Sequence, residues 1–214
     1  MRLVLPRLYV ILDATLLNNS PHKCAEELAA AGVRLFQYRD KASSARDLLA
    51  TSRQLVCSLN SCGASLVVND RPDVAVLAGA AGVHVGQEDL QAQQARAVVG
   101  KQLWVGLSTH NLDQFRQAAA TSADYIAIGP IFATTSKANP DPVVGLELIR
   151  QVRHLTEKPI VAIGGITLDR AASVIEAGAD SVAVIRDVLG DAKPGQRARR
   201  FLDVLDAANR AAAV

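Results

Sequence analysis

Leu66-Val67-Val68-Asn69-Asp70 and Val83-His84-Val85-Gly86-Gln87-Glu88-Asp89 decide how this chain is read. Each begins as a run of strand-forming residues and finishes in polar groups. If the two strands are parallel and adjacent, Asp70 and Asp89 emerge at the same edge of one sheet. Two carboxylates there, with the Asn69 amide beside them, offer the hard oxygen ligands that Mg2+ prefers. Mg2+ also keeps waters and binds substrate phosphates, so its natural companions are phosphate-binding cations. Arg39 and Lys41, after an earlier strand, and Lys137, in a later loop, are the candidates. A second reading makes the aspartates helix N-caps, since Asp is favoured there and Arg71-Pro72-Asp73 suits a first helical turn.

Working outward, the same strand-then-helix unit recurs. Strands are expected at Leu8–Leu12, Val33–Tyr38, Ser65–Asn69, Val83–Val85, Leu103–Leu107, Tyr125–Ile128, Pro159–Ile163 and Ser181–Ile185. Helical stretches fall between them: His22–Ala31, a segment capped by Ser43 or Ser44 and running to Ser61, Asp73–Ala78, Leu90–Val98, Leu112–Ala120, Leu146–Leu155, and a segment capped by Thr167. A last helix covers Arg197–Ala213. Gly32 ends the first helix as a C-terminal glycine. The helix-to-strand junctions repeat weakly, as in Ala31-Gly32-Val33, Ala81-Gly82-Val83, Ala123-Asp124-Tyr125 and Ala177-Gly178-Ala179-Asp180. Eight such units at roughly 25-residue intervals predict an α/β fold, a single (β/α)8 TIM barrel spanning 1–214. An open doubly wound sheet is the alternative, but no GxGxxG follows the first strand.

Composition agrees. Half of the 214 residues are hydrophobic, and one Trp among few aromatics leaves the core to Ala, Val, Leu and Ile. A net charge of +2 makes no case for nucleic acid. Arg197, Arg199 and Arg200 read as a solvated helix face. Cys24, Cys57 and Cys62 follow no metal-ligand spacing and read as reduced thiols, which suits a cytoplasmic protein. No signal peptide and no apolar run of membrane-spanning length is apparent.

In such a barrel the active site lies at the carboxyl ends of the strands. Those ends carry Asp13, then Gln37, Arg39 and Lys41, then Asn69 and Asp70, then Asp89. Ser108, Thr109 and His110 follow, then Thr134, Thr135, Ser136 and Lys137 in the longest irregular segment (131–142), Gly164-Gly165, and Arg186. Arg39, Lys41 and Lys137 would surround a polyanion. Gly164-Gly165 opens what reads as the seventh helix, where backbone N–H groups can approach a phosphate. His84, with no metal-like neighbour, reads as a hydrogen-bonded barrel residue, and His110 as a possible helix cap. No Ser/His/Asp set is evident. The ensemble suits anion binding and charge stabilisation rather than covalent catalysis.

Six motifs occur in order: Gln37-Tyr38-Arg39-Asp40-Lys41, Asn69-Asp70, Gly86-Gln87-Glu88-Asp89, Gly106-Leu107-Ser108-Thr109-His110, Gly129-Pro130-Ile131-Phe132 with Thr134-Thr135-Ser136-Lys137, and Ala162-Ile163-Gly164-Gly165-Ile166. Together they resemble the thiamine-phosphate synthase family over nearly the whole chain. The resemblance implies a transferase that joins a hydroxymethylpyrimidine diphosphate to a thiazole phosphate and releases pyrophosphate. It implies that Gln37 contacts the pyrimidine, and that Arg39, Lys41, Asn69, Ser108 and Lys137 hold the diphosphate. Arg39, Lys41, Ser108 and Lys137 would act in catalysis, and Asp70 and Asp89 would bind Mg2+. Thr134, Ser136 and the Gly165 backbone would hold the thiazole phosphate, and Thr135 and Ile185 would also bind substrate.

One position departs from the family pattern. Where a serine is usual after strand eight, this chain has Ile185-Arg186-Asp187. Arg186 either turns outward to Asp187 or Asp191, or turns inward and replaces the serine contact with a charged hydrogen bond. Two rivals stand beside the synthase: a thiazole tautomerase of the same fold, and a non-catalytic thiazole-phosphate binder. The tautomerase would want a His near Gly129-Pro130 and has no use for the cation and carboxylate set. The expected partners are small molecules, with no nucleic acid or membrane, and the sequence indicates no oligomeric state.

Overall fold

The computed structural model describes residues 3–17, 19–136 and 141–212. Lys137 lies outside the described residues. Strands β1 (Leu8–Asp13), β2 (Leu35–Arg39), β3 (Ser65–Asn69), β4 (Gly82–Val85), β5 (Trp104–Thr109), β6 (Tyr125–Ile128), β7 (Ile160–Ile163) and β8 (Ser181–Val184) pair in chain order. Every pairing is parallel, and β8 closes on β1. The expected (β/α)8 barrel is therefore present. Helices α1 (Pro21–Ala30), α2 (Ala45–Ser61), α3 (Pro72–Ala78), α4 (Ala92–Val99), α5 (Leu112–Ala119), α6 (Gly145–Arg153), α7 (Ala171–Glu176), α8 (Arg186–Leu189) and α9 (Pro194–Ala212) surround it.

Strand alternation divides the apolar residues between two cores. Val10, Leu12, Phe36, Leu66 and Val68 face the helices. Tyr9, Ile11, Leu35, Val67, Tyr125, Ala127, Val161 and Ala183 fill the barrel interior. Both faces are covered, so the strands read as nearly continuous apolar runs. Among the described residues, no helix is long and apolar enough to cross a membrane. The three cysteines are free thiols, Cys24 buried and the others exposed.

Several local expectations are refined. Ser44, not Ser43, caps α2, accepting from the Asp47 N–H at 3.2 Å, while Asp40 holds Ser43. Thr167 does not open α7. A turn closed by Arg170 N–H to Thr167 O comes first, and the helix starts at Ala171. β8 stops at Val184, and Ile185 leads into α8, a short helix that the apolar pattern did not separate from the strand. Arg197 is not part of a solvated face. It grips Asp187 through two nitrogens at 2.8–3.0 Å, with both side chains mostly buried.

Two of the four repeated junctions share one device at the amino-terminal rim. Asp124, before β6, accepts from the Val105 N–H of β5 at 2.7 Å and from Arg96. Arg96 also donates to the carbonyls of Gly100 and Leu103. Asp180, before β8, repeats the arrangement. It accepts from the Ile160 N–H of β7 at 2.8 Å and from Arg153 at 2.6 Å, and Arg153 also caps the carbonyls of Thr156 and Lys158. Removing such a carboxylate strands a half-buried guanidinium and a strand N–H. Asp180→Ala should therefore cost about 1–3 kcal/mol of stability, read from the denaturant midpoint. Substrate affinity should be unchanged, because the opposite rim carries the site.

Candidate active site

β1 ends at Asp13, which is only 2 % exposed. A carboxylate so deeply buried must be paired. Register places Asp13 opposite Arg39, the last residue of β2, and Arg39 Nη1 lies 2.5 Å from Asp13 Oδ2. The Thr15 N–H and hydroxyl complete its shell at 3.0 and 2.6 Å. Arg39 is thus clamped at the rim as half of an ion pair, rather than standing as a lone cation.

The β3 and β4 ends supply the carboxylates. Asn69 is level with His84 across the β3–β4 pairing, and the Asp70 N–H donates to the His84 carbonyl at 2.8 Å. Asp70 adopts φ 61°, a left-handed conformation uncommon outside glycine. It is not a helix cap, since α3 starts after Arg71 with no side-chain cap. Nor is Asp89, whose Oδ2 accepts from the Gly86 N–H at 2.8 Å, while Gln91 and Gln94 form the capping box of α4. Both carboxylates are left for the rim. Lys41 Nζ lies 3.0 Å from Asp70 Oδ2. Burial holds the Asp89 carboxyl above the usual carboxylate range, and the neighbouring Asp70 adds to this against the Gly86 N–H and Lys41.

Asp70 and Asp89 lie close enough to repel each other, and Lys41 offsets only one of the two negative charges. A divalent cation would neutralise the rest, and the donors are hard oxygens. Among the described residues no three His, Cys, Asp or Glu side chains gather as a metal site. A cation at Asp70 and Asp89 would therefore draw its other ligands from water and substrate oxygens, the usual habit of Mg2+. The residues present fit that ion.

Beside this cluster opens a cavity of ≈ 530 Å³. Of the residues expected from sequence, Gln37, Arg39, Asn69, Ser108, Thr134, Thr135, Ser136, Gly165, Ile185 and Arg186 line it. Lys41, Asp70 and Asp89 stand outside its wall, adjoining it through Arg39 and Asn69. Ile11, Ala127, Val161, Ile163 and Ala183 make an apolar middle.

The far wall is built by two backbones in close contact. Ile131 and Phe132 donate their N–H groups to the carbonyls of Ile163 and Gly164 at 2.9 and 3.0 Å. Gly165 has φ 64°, and a Cβ there would overlap the Ala133 carbonyl. Its glycine is thus required first by this contact, and α7 starts too late for Gly165 to be a helix terminus. Arg186 adopts neither outward pairing. Asp187 is taken by Arg197 and the Leu168 N–H, and Asp191 accepts from the Lys193 N–H. Arg186 instead reaches across the cavity mouth to the Thr135 carbonyl at 3.2 Å. Arg170, which nothing in the sequence set apart from a surface arginine, stacks on Phe132 at 4.9 Å and also lines the cavity.

Buried polar side chains link the two walls. Gln37 Nε2 donates to Tyr9 Oη at 2.9 Å, and Tyr9 meets Tyr125 Oη at 3.2 Å. Tyr125 meets His84 Nδ1 at 3.0 Å, and His84 Nε2 meets Ser108 Oγ at 2.8 Å. His84 is the hydrogen-bonded barrel residue expected, but the two tyrosines were not foreseen as polar partners. Burial pushes both phenols far above their ordinary range, so they stay protonated. His110 is not a cap. Asn111 caps α5, and the His110 ring meets the Gly129 carbonyl at 2.7 Å.

Comparisons with known proteins agree with this geometry. A family model described as thiamine monophosphate synthase matches residues 8–188. The thiamine-phosphate synthase of Koribacter versatilis is 54 % identical over 208 residues, covering 95 % of this chain and 97 % of that protein. That of Chloroflexus aurantiacus is 43 % identical over 184 residues, covering 86 % and 85 %. A solved thiamine phosphate pyrophosphorylase from Pyrococcus furiosus superposes with a TM-score of 0.86 at 29 % identity, over 94 % of this chain and 96 % of that one. The six motifs, the barrel that gathers them at one rim and a likeness spanning almost the full length have one common source: the chain belongs to the thiamine-phosphate synthase family.

Proposed function

We propose that this transferase condenses 4-amino-5-hydroxymethyl-2-methylpyrimidine diphosphate with thiazole phosphate, forming thiamine phosphate and releasing pyrophosphate. The observation that carries the reading is a cavity with two polar ends and an apolar middle. One end has Arg39, Asn69 and Ser108, with Lys41, Asp70 and Asp89 adjoining. The other has Thr134, Thr135, Ser136, Arg170 and Arg186. Two phosphorylated heterocycles, meeting ring to ring in the middle, fit that division. A tautomerase has no leaving group for the carboxylates and Lys41 to serve.

In this reading Gln37 fixes the pyrimidine. Arg39, Lys41 and Ser108 stabilise the negative charge growing on the departing pyrophosphate, joined by Lys137. Asp70 and Asp89 would hold Mg2+, which when bound supplies further positive charge to that leaving group. The aminopyrimidine delocalises the positive charge left on its methylene carbon, so the substitution is dissociative. Thr134, Thr135, Ser136, the Gly165 backbone, Ile185 and Arg186 hold the thiazole phosphate, so that the ring nitrogen is aligned for attack on that carbon. No protein nucleophile takes part.

A pyrophosphate-release assay tests the reading directly. Release should require both substrates and Mg2+, and should stop in chelator. Asp70→Asn and Asp89→Asn should each lose roughly a hundredfold or more in turnover, the scale for removing a main electrostatic stabiliser. They should also lose the rise in melting temperature that Mg2+ gives the parent. Both should remain folded, since asparagine tolerates the left-handed backbone of residue 70. Full activity in either variant would sink the metal assignment.

Arg186→Ala should raise KM for thiazole phosphate roughly tenfold, the size of a lost charged hydrogen bond. KM for the pyrimidine diphosphate should move little, because its cations belong to other strands. Steady-state kinetics with each substrate varied in turn checks this. An unchanged thiazole-phosphate KM would leave Arg186 as a brace for the 131–136 segment only.

A further inference from the structure

Gln37, Tyr9, Tyr125, His84 and Ser108 touch end to end through the barrel interior, and the first and last belong to opposite ends of the proposed pyrimidine diphosphate site. One set of directions satisfies the proton inventory of all five side chains. Gln37 gives an amide N–H to the Tyr9 oxygen. With Gln37 donating to it, the Tyr9 hydroxyl has its single proton available for Tyr125, its other partner among the described residues. Tyr125 then has its own proton for His84 Nδ1. A ring nitrogen that accepts is bare, so the neutral imidazole carries its proton on Nε2 and donates it to Ser108 Oγ. Ser108 is left with a proton to give to an anion in the cavity. At the other end, Gln37 has its amide oxygen left to accept.

The chain of contacts is a built feature. Tyr9, Tyr125, Gln37 and His84 are all buried, and the His84 and Tyr125 rings stack with centroids 5.5 Å apart. Gly106 makes the central link possible, because a Cβ there would overlap both the Tyr125 hydroxyl and His84 Nδ1.

We propose that these five residues form a one-directional relay that couples recognition of the pyrimidine's amino group at Gln37 to hydrogen-bond donation by Ser108 to the departing diphosphate. The proposal rests on the synthase reading for the identity of the substrate. Tyr9, Tyr125 and His84 are positioning residues, and Gln37 and Ser108 make the contacts. A ring bearing an oxo group in place of the amino group would turn the Gln37 N–H outward and its oxygen toward Tyr9. Every bond would then reverse: Tyr9 donates to Gln37, Tyr125 to Tyr9, His84 Nδ1–H to Tyr125, and Ser108 to His84 Nε2. Ser108 would present only lone pairs to the diphosphate. The wrong base is therefore penalised in turnover as well as in binding.

Long-range 1H–15N correlation on the 15N-histidine-labelled protein reads the direction of the relay, with the His84 signals assigned by their loss in His84→Asn. The expected state of the free protein at neutral pH is the Nε2–H tautomer. An Nδ1–H tautomer or an imidazolium would overturn the proposal. Tyr9→Phe uncouples Gln37 from Tyr125. Its kcat should fall roughly tenfold with the KM for thiazole phosphate unmoved, and its kcat/KM preference for the amino over the oxo pyrimidine diphosphate should fall by roughly the same factor. A parent-like kcat and preference in Tyr9→Phe would also overturn it. Turnover by the parent enzyme tests the synthase reading separately, and the His84 tautomer decides the relay whatever that turnover is.

Discussion

Closing eight parallel strands into a barrel leaves one rim at which every strand ends, and the rest of this molecule depends on that constraint. Asp13 and Arg186 are far apart in the chain, yet β1 and β8 are hydrogen-bonded neighbours. The two rims then divide the work. At the amino-terminal rim, Asp124 and Asp180 tie strand starts to Arg96 and Arg153. At the carboxyl rim the same residue types line a cavity.

The carboxyl rim was legible in the sequence because it needed only the strand ends in order, and short continuous apolar runs that break into polar residues mark those ends well. Ten of the expected contacts line the cavity for that reason. What the sequence withheld depends on partners distant in the chain. Arg186 had Asp187 beside it as an obvious partner, but Arg197 from α9 takes that carboxylate, and Arg186 crosses to Thr135 instead. Arg39 looked like a bare phosphate cation, whereas register gives it Asp13. Tyr9 and Tyr125 sat in apolar strand runs and looked like core. Their hydroxyls acquired meaning only when barrel closure set them against Gln37 and His84. Arg170 carries no local signal at all, since its stacking on Phe132 depends on the 131–136 segment lying against the β7 end.

The charges at the rim are already largely matched before any ligand arrives. Asp13 balances Arg39, and Lys41 balances Asp70. Asp89 is held above the ordinary carboxylate range by burial, with Asp70 adding to the effect. A bare diphosphate would find Arg39 and Lys41 already paired, and its affinity there would come from geometry more than from net attraction. Supplied together with a divalent cation, the same diphosphate brings its own compensating charge. The proposed Mg2+ site would account for carboxylates and cations sharing one rim.

The proposed relay also gives the Ser–His contact of 2.8 Å a role other than nucleophilic chemistry. In a serine hydrolase the histidine accepts the serine proton, and a carboxylate on its other nitrogen stabilises the resulting imidazolium. Here the other nitrogen meets Tyr125, a phenol that burial keeps neutral. A neutral phenol gives an imidazolium far less support than a carboxylate, and where Tyr125 donates, as the relay proposes, the histidine has its own proton to give. In the proposed relay Ser108 is a hydrogen-bond donor and not an activated alkoxide. Such a donor can stabilise a leaving anion without competing with an incoming nucleophile for the electrophilic carbon, and the proposed dissociative substitution would need both properties.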